Sequence, residues 1–137
     1  MNLQSTDPEY TQRLGAFLEE VRNEPDSMLE PTTRWLAILA TLTGNGSVDA
    51  YKEALPQALQ EGLDPVAVKE MVYQATDYLG YGRALPFLHA TNDALTAAGI
   101  ALPLPGQATT TMNDRLEKGI AAQVKIFGEH MNEAWKA

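Results

Sequence analysis

The sequence predicts an all-α domain of about six helices, and three observations carry that expectation. Pro and Gly cut the chain into segments of helical length, apolar residues recur inside those segments at three- and four-residue steps, and no stretch alternates as a strand would. With 137 residues, 45% of them hydrophobic and 20% charged, the chain can bury one core without staples and has no room for a second complete domain.

The first segment opens at Asp7-Pro8, a cap followed by proline at the first helical position, and runs to about Asn23 with Tyr10, Leu14, Phe17, Leu18 and Val21 along one stripe. Pro25 is expected to stop it. The second, from about Pro31 to Thr43, is apolar nearly all round, which predicts a helix surrounded by others at the centre of the domain. Gly44-Asn45-Gly46 ends it, Ser47 is placed to cap a third helix reaching about Glu61, and Pro56 inside that helix predicts a kink.

Asp64-Pro65 repeats the cap-plus-proline start for a fourth helix with Val68, Met71, Val72, Ala75 and Leu79 on its apolar side. Glu70, Gln74 and Asp77 then fall on another face, with Tyr78 beside them. After Gly80-Tyr81-Gly82 a fifth helix is expected to reach about Ala98, with Ala84, Leu88, Leu95 and Ala98 as its stripe and Pro86 tolerated in the first turn. Gly99 to Thr111 has no period and reads as a linker. Beyond it, Leu116, Ile120, Val124, Phe127, Met131 and Trp135 predict an amphipathic helix of about 37 Å if Gly128 does not break it. Residues 1–106 are therefore expected to form the helical domain and 107–137 a C-terminal helix that packs on a neighbouring subunit.

Composition narrows the function classes. A formal charge of −8 leaves no basic stripe for nucleic acid or anionic lipid. No apolar run has the roughly 20 residues of a membrane span, and the first residues lack the basic start and apolar centre of a signal peptide, so a cytoplasmic protein is expected. The absence of cysteine removes disulfides, thiolate nucleophiles and thiolate metal sites, and His89 and His130 are too far apart in sequence for ligand spacing. Neither a metal nor a cofactor is expected.

From Thr33 to Leu95 the chain resembles the carboxymuconolactone decarboxylase family, a group of all-helical oligomeric proteins that includes the AhpD-like alkylhydroperoxidases. The resemblance rests on Thr33-Arg34 opening an apolar helix, Ala58-Leu59-Gln60-Glu61-Gly62-Leu63 before a cap, Lys69-Glu70-Met71-Val72-Tyr73-Gln74, and Tyr78-Leu79-Gly80. It implies an AhpD-like helical domain that self-associates as a trimer or hexamer and takes a small carboxylated or lactone-like substrate. The resemblance also puts the Glu, two Cys and His of AhpD-like members at Trp35, Ser47, Ala50 and Ala54, where all four side chains differ. Thiol peroxidase chemistry needs an attacking thiolate, a resolving thiol and two proton carriers, and these four residues supply none of them. Ala54 in place of the His, and Gly82 in place of the usual Pro, depart from the decarboxylase pattern too. Arg115-Leu116-Glu117-Lys118-Gly119 with Ile126-Phe127-Gly128-Glu129 is similar to the first helix of a further domain of this kind.

The remaining candidates are Glu70, Tyr78 and His89 for catalysis and Arg34, Gln74 and Arg83 for substrate binding. Glu70 is either a general acid or base beside a pocket or part of a solvated face. Gln74 and Tyr78 either orient a substrate carbonyl or sit at the core edge. Arg34 either forks a substrate carboxylate or pairs with Glu30, and His89 either moves a proton or is a satisfied helix residue. Two functional classes follow: a cofactor-free decarboxylase or small-molecule binder, and an oligomeric module that keeps the fold without the active site.

Overall fold

The computed structural model describes residues 3–22, 24 and 29–135. Among them the secondary structure is entirely helical: α1 (Leu3–Thr6), α2 (Pro8–Arg22), α3 (Pro31–Gly44), α4 (Val48–Gln60), α5 (Pro65–Leu79), α6 (Tyr81–Ala97), α7 (Arg115–Phe127) and α8 (Met131–Ala134). The expected stop at Pro25 and the end of the first helix at Asn23 lie outside the described residues. No helix among the described residues is long and apolar enough to cross a membrane. The chain divides into two compact units, Met1–Leu102 and Pro103–Ala137.

Helix starts follow local chemistry. The Asp64 carboxylate accepts the Val66 amide at 3.0 Å, and Pro65 takes the first helical position, where a missing N–H costs nothing. At α3 the cap is a residue the sequence did not single out: the Glu30 carboxylate accepts the amides of Thr32 and Thr33 at 3.1 and 3.2 Å and the Thr32 hydroxyl. The Thr32 hydroxyl, then the two amides, hold this carboxyl below its ordinary value. Ser47 takes the cap position of α4 but its side chain makes no capping bond. Asn45 intervenes, its Oδ1 accepting the Ser47 amide at 3.1 Å. At the other end of α4, Gly62 adopts φ +92°, a left-handed conformation that turns the chain so that the Leu63 amide reaches the Ala58 carbonyl at 3.0 Å and the Leu63 side chain enters the core.

In the first unit α3 and α6 each pack against both α4 and α5. The core they share contains Trp35 and Leu39 from α3, Tyr51, Leu55 and Ala58 from α4, Val68 and Val72 from α5, and Phe87 and Ala90 from α6. The expectation that the second predicted helix, now α3, is enclosed on all sides is corrected. Ala37 and Ala40 stay exposed while α6 buries Ala84, Phe87, Ala90, Thr91 and Leu95. Small alanines made the α3 sequence look apolar all round, yet they cover little area and one side of the helix faces outward. The stripe assigned to α6 shifts for a related reason. Ala98 is exposed and Leu88 half-buried, because the inward face is set by Phe87 and Thr91. Pro86 also lies beyond the first turn of α6, and Pro56 is carried inside α4.

The phenol of Tyr51 is fully buried and meets the Phe87 ring edge to face at 5.2 Å. Its hydroxyl lies 2.7 Å from Thr91 Oγ1, and the Thr91 hydroxyl donates to the Phe87 carbonyl at 2.8 Å. Threonine has one hydroxyl proton and the carbonyl can only accept, so the Tyr51 O–H donates to Thr91. Burial pushes the phenol up to about 12, with the Thr91 bond opposing it.

In the second unit α7 ends at Gly128, whose φ is +102°, and α8 begins at Met131. The continuous terminal helix is therefore corrected to two pieces. Trp135 Nε1 donates to Gln123 Oε1 at 2.9 Å, a contact that the break makes possible by letting the chain fold back.

A raised folded-state value for Tyr51 means that the native state holds its proton where the unfolded chain, near 10.0, has lost it. Its contribution is complete below pH 10 and falls away between pH 10 and about 12, by roughly 2 to 3 kcal/mol. Thermal melts of wild type and Tyr51→Phe across pH 9 to 12 test this. The variant should lose about 1 kcal/mol at neutral pH and lack the alkaline component. Parallel melting curves would contradict the assignment.

Candidate functional site

Of the four positions that matter to the resemblance, none carries an ionisable group, and Trp35 and Ala54 are given over to packing. Trp35 is buried, and its indole N–H donates to Glu61 Oε2 at 2.7 Å while Gln57 Nε2 donates to Oε1 at 2.9 Å. Ala54 packs against the same apolar cluster that contains Trp35. Ser47 is half-buried at the head of α4 and Ala50 is exposed. Among the described residues, no buried side-chain nitrogen or oxygen lacks a hydrogen-bond partner, so the core leaves no polar group waiting for a ligand there.

The structure disperses the six candidate residues. Gln74 and Tyr78 come together on α5, where with Met71, Ala75, Leu79, Ala40 and Gly44 they line an open cleft of about 350 Å³ between α5 and α3. Two polar side chains on an otherwise apolar lining suit orientation of a small molecule by one or two hydrogen bonds. Glu70 lies one turn before Gln74, is exposed, and is not among the residues lining that cleft. Arg34 is half-buried on α3, and Arg83 and His89 are exposed on α6, all three outside the lining. The cleft therefore holds no charged side chain. Among the described residues no group of three or more His, Asp or Glu is placed to hold a metal ion.

A second cavity, of about 420 Å³, lies where the C-terminal ends of α4 and α6 meet the start of α5. Its lining includes Pro56, Leu59, Leu63, Pro65, Ala94 and Ile100, with the Gln60 carboxamide as its polar group. Its apolar walls complement the core and supply no group able to move a proton.

Lys69 was read from the sequence only as part of a matching run, yet it is 8% exposed. Its Nζ donates to Asn92 Oδ1 on α6 at 2.7 Å and stands 5.1 Å from the centre of the Tyr73 ring. Its position beside Val68, one step off the apolar stripe, was the available signal. The sequence could not show that α6 would meet Lys69 with the Asn92 amide.

Comparison with known proteins adds one finding. No curated protein and no solved structure matches the chain. The model of the carboxymuconolactone decarboxylase family matches residues 8–93, a span that reaches back from the core helices across α2. It covers more than half of the chain and coincides with the all-helical first unit, and on that ground the chain belongs to the carboxymuconolactone decarboxylase family.

Proposed function

We propose that this chain serves as a thiol-free, self-associating member of its family, in which the apolar face of α2 is covered by a second copy and no proton transfer runs through the positions its relatives use. The observation that carries this reading is the filling of two of those positions: Trp35 lies in the buried apolar cluster and Ala54 packs against it. The stripe of α2 supports the other half. Tyr10, Leu14, Phe17, Leu18 and Val21 keep between 40% and 63% of their surface in water, although a stripe of five large apolar side chains on one helix is a face built to be buried. The family match includes α2, which makes this helix part of the shared domain rather than an appendage.

Leu14→Glu with Phe17→Glu places two carboxylates in that stripe while leaving the α3–α6 core untouched. Light scattering after gel filtration should show wild type as an assembly and the double variant as a single chain. Equal masses would overturn the reading. Truncation after Gly106 reports separately on α7 and α8: retention of mass assigns assembly to α2. With no cysteine in the chain, thiol-dependent turnover of hydroperoxide should be at background.

The convergence of Gln74 and Tyr78 favours a second reading, binding of a small carboxylated or lactone-like molecule in the α3–α5 cleft. Decarboxylation there would break the bond to the carboxylate carbon, release CO2, pass the electron pair into an enolate and return a proton to carbon, a task assigned to Glu70, one turn before Gln74 on α5. An unsaturated γ-lactone carboxylate serves as the probe. Gln74→Leu and Tyr78→Phe should each weaken its binding about tenfold, the scale of one lost hydrogen bond. Glu70→Gln should abolish turnover. Unchanged binding in both cleft variants, or unchanged turnover with Glu70→Gln, removes the corresponding part of the reading.

A further inference from the structure

We infer that the seam between α5 and α6 at Lys69 is a binding site for a small oxyanion, a carboxylate or a phosphate. The argument begins with an anomaly of charge. The chain has 18 acidic residues and an excess of eight negative charges, yet its buried lysine has no carboxylate within 4.0 Å among the described residues. A buried ammonium with only a neutral partner is expensive to keep, and an apolar residue of the same length would fill the space without that cost.

What surrounds Lys69 is a set of unspent donors. Its ammonium has three N–H groups, of which Asn92 Oδ1 accepts one. The Asn92 oxygen is engaged by Lys69, and no acceptor within the described residues takes up its NH2 group. The Tyr73 ring lies 5.1 Å from the ammonium and is 47% exposed, so the seam borders solvent at this residue. His89, three residues before Asn92, falls on the same face of α6 and is exposed. An arriving oxyanion would accept from Lys69 and Asn92 together, two donors on two helices, and would supply the missing counter-charge in a half-dry setting where such bonds are strong.

This site is separate from the α3–α5 cleft. Lys69 and Tyr78 lie roughly half a turn apart in projection along α5, on opposite sides of the helix. Either site can fail without the other.

Benzoate and inorganic phosphate are the two probes, each against sodium chloride at matched ionic strength to remove screening. The wild-type chain should show a saturable rise in Tm of roughly 5 °C at about ten times Kd with at least one of them, and the probe that acts identifies the chemistry. Amide resonances around Lys69 and Asn92 should move in the same titration, and Lys69→Met should lose the response. Should Lys69→Met not fold, the wild-type map decides: shifts centred on Lys69 and Asn92 support the site, and shifts elsewhere or none overturn it. An undiminished response in folded Lys69→Met overturns it too. So does a Lys69→Met chain whose mass in solution falls without any added anion, since the counter-charge then comes from a second copy.

Discussion

A phenol buried among four helices must place its hydroxyl on a partner, and the first unit is organised around that requirement. Tyr51 comes from α4, and its partner Thr91 and ring neighbour Phe87 both come from α6. Thr91 can accept from Tyr51 only because its own proton is directed to the Phe87 carbonyl one turn back. The relay fixes the rotation of α6 about its axis, since a step of one residue would carry Thr91 about 100° away from the phenol. Once α6 is fixed, Asn92 is turned towards α5, where Lys69 finds it. Two polar contacts on adjacent residues of one helix thus set its register against two neighbours.

The same packing constrains chemistry. A core that satisfies every buried side-chain polar atom among the described residues is rigid and specific, and it is also chemically spent. Trp35 illustrates the exchange. A large indole needs one acceptor, and Glu61 at the end of α4 provides it, held in turn by Gln57. This arrangement consumes a carboxylate to stabilise a packing residue, whereas catalysis would need that carboxylate exposed to substrate. Lys69 differs from the rest of the core in that its ammonium meets an amide oxygen and a ring rather than a carboxylate.

Local signals in the sequence were legible where the physics is local. Asp64-Pro65 starts α5 and Gly62 turns the end of α4, because caps and left-handed glycines depend on a few neighbouring residues. The family was legible from Thr33 to Leu95, all but the last two residues of which lie in the matched span 8–93. The capping role of Glu30, the Tyr51 and Thr91 pair and the burial of Lys69 were not, each for a definite reason. Glutamate is a weak cap by preference, and it succeeds here because threonines follow it. The other two depend on which residue of one helix meets which residue of another, and periodicity gives the direction of a face without the identity of what lies opposite. Of the candidate site, Gln74 and Tyr78 do meet in a cleft, while Glu70, one turn away on the same helix, stays in water.

Amphipathic stripes carry the same ambiguity to its limit in α2 and α7. Both have the period of a helix meant for burial, and no residue of α7 is buried. A helix of 13 residues has little stability of its own, because nucleation costs more than so few backbone bonds return. The contacts within Pro103–Ala137 help, through Trp135 on Gln123 and Lys118 on the Thr109 carbonyl, but both bonds are exposed and contribute modestly. The apolar side chains Leu116, Ile126, Phe127 and Trp135 add cost rather than stability for as long as they remain in water. An association that covered these two faces would couple the persistence of both helices to protein concentration, as any linked equilibrium does. Stability of the α3–α6 core, which closes on itself, carries no such dependence.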